Sequence, residues 1–385
     1  MRDGPAYPGP GQRPGRGWGP LIGLLALVLA LAAVAGVGRT AWRATAPLFF
    51  LPPPQVITTE TASDPVPLAT RVQRVASGLV DIDTRLGYQG VAGAGTGIVL
   101  SPSGDVLTNN HVISGATSIR VTAIGTGRSY PATVLGYDRT RDVAVLHLQG
   151  ALGLPTAPLG DSDRVAVGDE VAAIGNAGGV GGPPTVTTGR VTALDETITV
   201  SDDVTGAAQQ LSGLIQVSAP MRPGDSGGAL VNTAGQVIGV NTAASTGFQV
   251  HSSGAEGFAI PINQALAIAR QIEAGSASDT VHIGPTGILG IQVQELSVVP
   301  GLGGGWWSGS GALVAGIMPG SPAERAGLVP GDVIVALDGT MVDSPATLTA
   351  LLTRHHPGDV VRLTWVDPLG QRQSAPVQLA SGPPN

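Results

Sequence analysis

The sequence predicts a mainly β protein with an N-terminal membrane helix and a smaller mixed module at its C-terminal end. Three observations carry that expectation. An uninterrupted apolar run occupies Leu21 to Gly38; short β-rich runs follow between Leu68 and Ile262, separated by Gly, Asp, Asn and Ser; strand-like and helix-like pieces alternate from Ile288 onward. Short strands recurring between turn formers suit a barrel or a sandwich. A chain of 385 residues has room for two ordinary domains plus extensions.

The first stretch, residues 1–20, reads "MRDGPAYPGPGQRPGRGWGP" and is too rich in proline and glycine to bury a core, so a disordered tail is expected. Residues 21–38 then approach the length that crosses a hydrocarbon layer of roughly 30 Å. A removable signal peptide competes with this, since Ala44-Thr45-Ala46 resembles a cleavage site, but Pro47 follows it directly and the apolar run is long for a signal sequence. A retained anchor is the expectation. Arg2, Arg13 and Arg16 before the run against Arg39 and Arg43 after it tip the N-terminus toward the cytoplasm, leaving the rest extracytoplasmic. Residues 39–66 form a proline-bearing spacer.

Within residues 67–277 the predicted strands are "GTGIVLS", "DVLTN", "SIRVTAI", "ATVLGYD", "VAVLHLQ", "DEVAAIG", "TVTTGRVTAL", "LIQVS", "QVIGVNTA" and "GFAIPI". "INQALAIARQIEAG", Ile262 to Gly275, has apolar residues at helical spacing and closes the domain. Residues 278–286 read as a polar linker. Residues 287–381 form the second module, with "PAERAGL" and "SPATLTALLTRH" as its helical pieces.

Composition removes several function classes. All 20 basic residues are arginine and the net charge is −7, which argues against a nucleic-acid partner. The absence of cysteine excludes disulfides, thiolate nucleophiles and cysteine-bound metal together. His111, His147, His251, His282, His355 and His356 include no pair at the spacing of a helical metal site, so no metal and no cofactor are expected.

The stretch "MRPGDSGGAL" places Ser226 between Asp225 and two glycines. With 58 glycines in the chain, such a turn by itself means little. A serine hydroxyl becomes a nucleophile only with a base to take its proton and an acid to orient that base. Two residues of the same β-rich segment qualify. His111 in "VLTNNHVI" ends an apolar strand, and Asp142 in "RDVAVLHL" opens one that can bury its carboxylate. The order His111, Asp142, Ser226 is the one used by chymotrypsin-type barrels. His147 lies inside an apolar strand and reads as structural, while His355 and His356 are assigned no chemistry.

"GTGIVLSPSGDVLTNNHVI", "RDVAVLHL", "VAAIGNAGG", "TVTTGRVTAL", "RPGDSGGALVNTAGQVIGV" and "GFAIPI", taken in order, resemble the HtrA/Deg family of serine proteases. "ILGI" and "IMPGSPAERAGLVPGDVIVALDGT" resemble the PDZ domain that follows the protease in that family, and the anchor–protease–PDZ order is similar to its DegS-like branch. The resemblance implies a two-barrel chymotrypsin-like protease domain with His111 as general base, Asp142 as its orienter and Ser226 as nucleophile. Asp138 is a minor competitor to Asp142. The backbone amides of Gly224 and Ser226 would form the oxyanion hole. Pro220, Val240 and Asn241 fall at the first specificity pocket, where Pro220 brings no charge, so cleavage after small or medium apolar side chains is expected. Ile288, Leu289, Gly290 and Ile291 would receive the carboxylate of an apolar peptide C-terminus, the peptide adding a strand to the module. Trp306 and Trp307 would cover that groove, touch a membrane or pack against the module's core.

The family's nucleophile loop carries asparagine where this chain has Asp225. A buried carboxylate needs a partner, and Arg222 or Arg190 is expected to supply one. "LDETITVSDDVTGAAQQLSG", Leu194 to Gly213, is a candidate regulatory loop, and "LATRVQRVASGLVDI" matches the segment through which the family forms trimers. The expected function is a membrane-anchored endopeptidase acting on unfolded or membrane-proximal proteins in quality control or stress signalling. A silent chaperone of the same fold is the alternative. An α/β-hydrolase esterase is disfavoured by the order of the three residues, and a pure peptide-binding adaptor would need no matched histidine and aspartate.

Overall fold

The computed structural model describes residues 68–87, 90–176, 178–202, 208–242, 248–250, 257–296 and 309–384. The tail, the apolar run 21–38, the spacer, and Trp306 and Trp307 lie outside them. No helix among the described residues is long and apolar enough to cross a membrane.

Helix α1 (Leu68–Ser77) turns Val75 into the interior and leads into the first barrel. Its strands are β1 (Leu79–Leu86), β2 (Val91–Val99), β3 (Asp105–Thr108), β4 (Ser118–Ala123), β5 (Arg128–Asp138) and β6 (Val143–Leu148), with the one-turn helix α2 (Asn110–Ile113) after β3. They pair in the order β5-β4-β1-β2-β3-β6, and β5 also pairs with β6, which closes the barrel. Closure leaves no open edge. Val80, Ile82, Val106, Val121, Tyr137, Leu146 and Leu148 fill the interior, all essentially inaccessible.

The second barrel is built from β7 (Glu170–Gly175), β8 (Thr185–Asp202), β9 (Ala208–Val217), β10 (Ala229–Asn232), β11 (Val237–Thr242), β12 (Phe248–Val250) and β13 (Gly257–Pro261). The path β8-β7-β10-β11-β13-β9 is closed by β8 on β9. One apolar cluster joins the two barrels through Leu79, Ile98 and Leu107 from the first and Ile174, Ala229 and Val240 from the second. Helix α3 (Ile262–Glu273) covers it with Ile262, Ala265, Ile268, Ala269 and Ile272, spaced to share one face. The two-barrel expectation is met.

The segment Leu194 to Gly213, expected as a loop, belongs largely to β8 and β9, which pair from Val191↔Val217 out to Ser201↔Ala208. Its polar, turn-like composition disguised a two-stranded extension. Three register shifts along it accommodate residues that the alternation of a regular strand would not. The expected linker also contains structure, since β14 (Val281–Ile283) pairs with β5.

The last module contains β15 (Thr286–Ile288), β16 (Ile291–Glu295), β17 (Ala312–Ile317), α4 (Pro322–Arg325), β18 (Val333–Leu337), β19 (Thr340–Met341), α5 (Pro345–Leu352), β20 (Val360–Val366), β21 (Arg372–Gln378) and β22 (Ala380–Gly382). Both helices begin on a serine whose hydroxyl accepts the amide three residues on, Ser321 for α4 and Ser344 for α5, with proline next. The sheet runs β16-β17-β18-β20-β21 around a core that includes Leu289, Ile334, Leu363 and Trp365. β16 is its edge.

The module is fastened to the first barrel by polar contacts. Tyr137 Oη lies 2.9 Å from Thr286 Oγ1, the Gly115 amide donates to Pro384 O at 2.7 Å, and the buried His282 ring stacks 4.8 Å from that of His356.

Candidate active site

His111 sits in α2, where strand β3 ends and the chain turns back. Asp142 sits just before β6, one residue ahead of Val143. The register of β3 on β6, Thr108↔Ala144, brings the two ends together. His111 Nδ1 lies 2.8 Å from Asp142 Oδ2, and the His111 backbone amide donates to Asp142 Oδ1 at 2.9 Å. A carboxylate only accepts, so Nδ1 is the donor and Nε2 is left as the basic nitrogen of the neutral ring. Thr242 Oγ1 donates to the same Oδ2 at 3.2 Å, and Asn109 Nδ2 holds the Asp142 carbonyl at 2.9 Å. Both side chains are 3% exposed. Asp142 has φ +54°, a left-handed conformation that costs a non-glycine residue about 1–2 kcal/mol and is tolerated where surrounding contacts impose it. Four hydrogen-bonding groups around one aspartate impose it here.

Ser226 is fully buried in the loop between β9 and β10. The loop hangs on Thr96 of β2. Thr96 donates its amide to Ser226 O at 2.8 Å and its hydroxyl to Gly224 O at 2.8 Å, while Thr96 O accepts the hydroxyl of Thr108 at 2.7 Å. The neighbouring Gly95 touches both halves of the site. A Cβ there would stand 2.6 Å from Val112 Cγ1, beside His111, and 3.3 Å from Ser226 O. Glycine is required again at Gly224 (φ +98°) and Gly227 (φ +80°), where a Cβ would meet Asn176 O at 2.1 Å and Thr96 O at 2.0 Å.

The Pro223 carbonyl accepts from Gly178 N at 2.7 Å and the Asp225 carbonyl from Gly228 N at 3.0 Å. A trans peptide points its N–H opposite to its C=O. The amides of Gly224 and Ser226 are thereby turned away from those two donors.

Among the described residues no arginine side chain makes a hydrogen bond to Asp225. Its Oδ2 accepts the backbone amide of Arg222 at 2.9 Å and its Oδ1 lies 3.1 Å from the Thr185 hydroxyl. Arg190 is engaged elsewhere, with Glu170 and with Gly168 O. Burial pushes the Asp225 carboxyl above its ordinary range, partly offset by the two hydrogen bonds and the Arg222 charge. The turn Arg222 to Asp225 carries the aspartate's partner within itself: of the two expected arginines Arg222 serves, through its backbone amide.

Asp138 does not face His111: its Oδ1 accepts from Thr140 Oγ1 and Arg141 N. His147 pairs with Asp105 at 2.9 Å on a half-exposed surface. Pro220 is exposed; Val240 lies in the core, and Asn241, fully buried, reaches Ile174 O with its amide at 3.2 Å. In the last module Leu289 is a core residue whose carbonyl accepts Ala323 N, and Gly290 (φ +72°) accepts Met318 N. Ile288 ends β15 and Ile291 opens the edge strand β16, which packs against α5. Thr96, Asn109 and Thr242 were not singled out from the sequence. Each is a small polar residue whose role depends on register across strands far apart in the chain.

Residues 95–240 match the family described as a trypsin-like peptidase domain, and residues 313–367 match that of the PDZ domain. Serine protease PepD of Mycobacterium tuberculosis is 35% identical over 321 residues, 80% of this chain and 64% of that protein. Serine protease Do-like HtrB of Bacillus subtilis is 36% identical over 270 residues, 67% of this chain and 56% of that protein. The chain therefore spans less than two thirds of the length of either. Among solved structures, the HtrA-type protease AlgW with tripeptide is 33% identical, covering 83% of this chain and 98% of that one, with a TM-score of 0.46.

Proposed function

The chain belongs to the HtrA/Deg family of serine proteases, and from that premise we propose that it is an endopeptidase whose Ser226, His111 and Asp142 cleave peptide bonds. The observation that carries the reading is the double hold of Asp142 on His111, by ring and by backbone. With Nδ1–H committed to Asp142, Nε2 takes the Ser226 hydroxyl proton as Oγ attacks the scissile carbonyl carbon. The C=O π electrons move onto oxygen, and the amides of Gly224 and Ser226 donate to the oxyanion, a contribution typically worth about 10²–10³ in rate. Collapse breaks the C–N bond, and Nε2–H passes its proton to the leaving amine. Water then attacks the acyl-serine with Nε2 again as base, releasing the acid and restoring Ser226. Asp142 stabilises the imidazolium formed in each half.

Pro220, exposed and bringing no charge, favours small or medium apolar residues before the scissile bond, while Val240 and Asn241 are buried behind the surface. The loop Ile288–Ile291, the edge strand β16 and α5 suit a peptide C-terminus added as a further strand, its carboxylate against the loop amides. Residues 21–38 anchor the chain in a membrane with the protease and PDZ domains extracytoplasmic, and α1 with β1 supports a homotrimer. Unfolded and membrane-proximal proteins are the substrates.

The test is casein hydrolysis and fluorophosphonate labelling by the full chain with and without peptides ending in apolar residues, beside Ser226→Ala. Labelling and hydrolysis both lost on Ser226→Ala support the reading. An unlabelled chain that binds peptides favours a silent chaperone, and cleavage mainly after arginine overturns the pocket assignment.

A further inference from the structure

Asp81 lies on β1 directly opposite Thr96 of β2, the residue that carries the Ser226 loop. It is 4% exposed, and its Oδ1 has no hydrogen-bonding partner among the described residues. The carboxylate faces the chain at Gly181 and Gly182: a Cβ at Gly181 would stand 3.6 Å from Oδ2, and the backbone amide of Gly182 is close enough to favour the ionised form. An isolated buried carboxylate is costly, so its retention needs a reason.

The segment it holds is "NAGGVGGPP", 176–184, between β7 and β8. Gly178, Gly179, Gly181 and Gly182 all have positive φ, between +63° and +90°. Such a chain has much backbone entropy to lose and little side chain to hold it in place. External anchors must supply the order. Asn176 N donates to Thr96 Oγ1 at 2.9 Å, and Asn176 Oδ1 accepts Gly181 N at 3.0 Å. Gly178 N holds Pro223 O at 2.7 Å, the carbonyl on the same peptide unit as the Gly224 amide. At the far end Asp81 Oδ2 lies against Gly181, with its charge favoured by the Gly182 amide.

We propose that Asp81 is a positioning residue for the proposed hydrolysis: by fixing the glycine-rich segment 176–184 it sets, through Gly178 and Pro223, the direction of the Gly224 amide. The inference rests on the protease reading, although the anchoring itself does not. Ionised Asp81 is the stronger acceptor for the Gly182 amide, so protonation loosens the segment. Burial, followed by the charge of Asp83, raises the Asp81 carboxyl to about 6 against the pull of the Gly182 amide. On β4 the facing residues are Thr122 and, opposite Asp83, Arg120; on β2 they are Ala94, Thr96 and Ile98; the segment 176–184 has no ionisable side chain. The loosening is therefore centred near pH 6 and falls within a working range.

Hydrogen exchange of 176–184 is followed by mass spectrometry in the full chain carrying Ser226→Ala, at pH 5 to 8 and corrected for intrinsic rates. Protection should fall several-fold below about pH 6 with Asp81, be low at every pH with Asp81→Ala, and stay at the wild type's low-pH level at every pH with Asp81→Asn, a neutral acceptor like the protonated carboxyl. In chains retaining Ser226, Asp81→Ala should lower kcat about ten-fold with KM within about two-fold, and Asp81→Asn should lower it by a smaller factor, leaving the acceptor without the charge. The acid limb of log kcat should carry an additional step of at most about ten-fold near pH 6 with Asp81 and lack it with Asp81→Asn, because that titrating group is removed. Exchange that ignores Asp81→Ala, or identical acid limbs in both chains, overturns the proposal. Absence of any fluorophosphonate labelling while exchange follows Asp81 supports the anchor and instead removes the protease reading.

Discussion

His111 is bound to Asp142 twice, through Nδ1 at 2.8 Å and through its backbone amide at 2.9 Å. The second bond ties the carboxylate to the peptide backbone from which the imidazole projects, so ring and orienter move as one body. Thr242, reaching in from the second barrel, makes that body shared between the two barrels.

Asp142→Asn tests the first bond. An amide offers the ring either a donor or a weaker acceptor, so Nδ1 loses its fixed donor role. We expect kcat to fall by about 10³–10⁴ with KM little changed and with folding intact by circular dichroism.

Thr242→Val removes the second barrel's hydroxyl and leaves Asp142 Oδ2 with His111 alone. The expected loss is about 1 kcal/mol of stability by urea unfolding and several-fold in kcat. A variant that keeps both at the wild-type level would show that the 3.2 Å contact contributes nothing.

Asp225→Asn should be tolerated. The Thr185 hydroxyl has one proton and two acceptors, Gly175 O at 3.0 Å and Asp225 Oδ1 at 3.1 Å. An asparagine Nδ2 in the Oδ1 position would donate to Thr185, freeing its proton for Gly175, while the asparagine oxygen accepts from Arg222 N. Activity within about three-fold of wild type is expected. Because folding raises the Asp225 carboxyl, the fold prefers its neutral form; that preference stabilises below the unfolded value of 3.8 and is lost as pH rises through the raised folded value. The variant should accordingly gain in melting temperature over wild type at neutral pH, and the gain should vanish on acidification.

Gly227→Ala should not yield a folded nucleophile loop. The added Cβ would meet Thr96 O at 2.0 Å with φ at +80°, a backbone contact that no rotamer relieves. A loss of at least about 2 kcal/mol in thermal unfolding is expected, with no fluorophosphonate labelling.

His282 couples the barrel to the PDZ domain. Its Nδ1 is 2.6 Å from Thr353 O and its Nε2 3.1 Å from Pro285 O. Burial lowers its affinity for a proton below the ordinary 6.5, against the two carbonyls, which favour the protonated ring, and with a small contribution from His356. The fold therefore prefers the neutral ring, and its stabilisation is present above 6.5 and lost as pH falls toward the lowered folded value. The melting-temperature difference between wild type and His282→Gln should shrink from pH 7.5 to 5.5. A difference that stays constant would remove His282 from the pH response.

How much of this was legible in the sequence follows from how local each signal is. The alternation in "VAVLHL", the turn formers between strands and the helical spacing of "INQALAIARQIEAG" act over a few residues, so β6, the barrel architecture and α3 could be anticipated. "GDSGG" with histidine and aspartate in order pointed to Ser226, His111 and Asp142, since that chemistry demands those residue types. The extension of β8 and β9 was missed because cross-strand pairing, not local hydrophobicity, makes it a hairpin. Arg222 was named as the partner of Asp225, but the group that holds it is the backbone amide rather than the guanidinium, which no residue name reveals.

Sequence alone was enough to name the family and to place a peptidase domain before a PDZ domain, and it nominated the three residues proposed to carry the chemistry, because each reading rests on residue types at short or ordered spacings. The tertiary structure decided which groups hold those residues. Thr96 and Thr242 meet the site across 128 and 100 residues of chain, and only the packing of the two barrels brings their oxygen atoms within hydrogen-bonding distance of Gly224 and Asp142, while the β1–β2 register sets Asp81 beside Thr96.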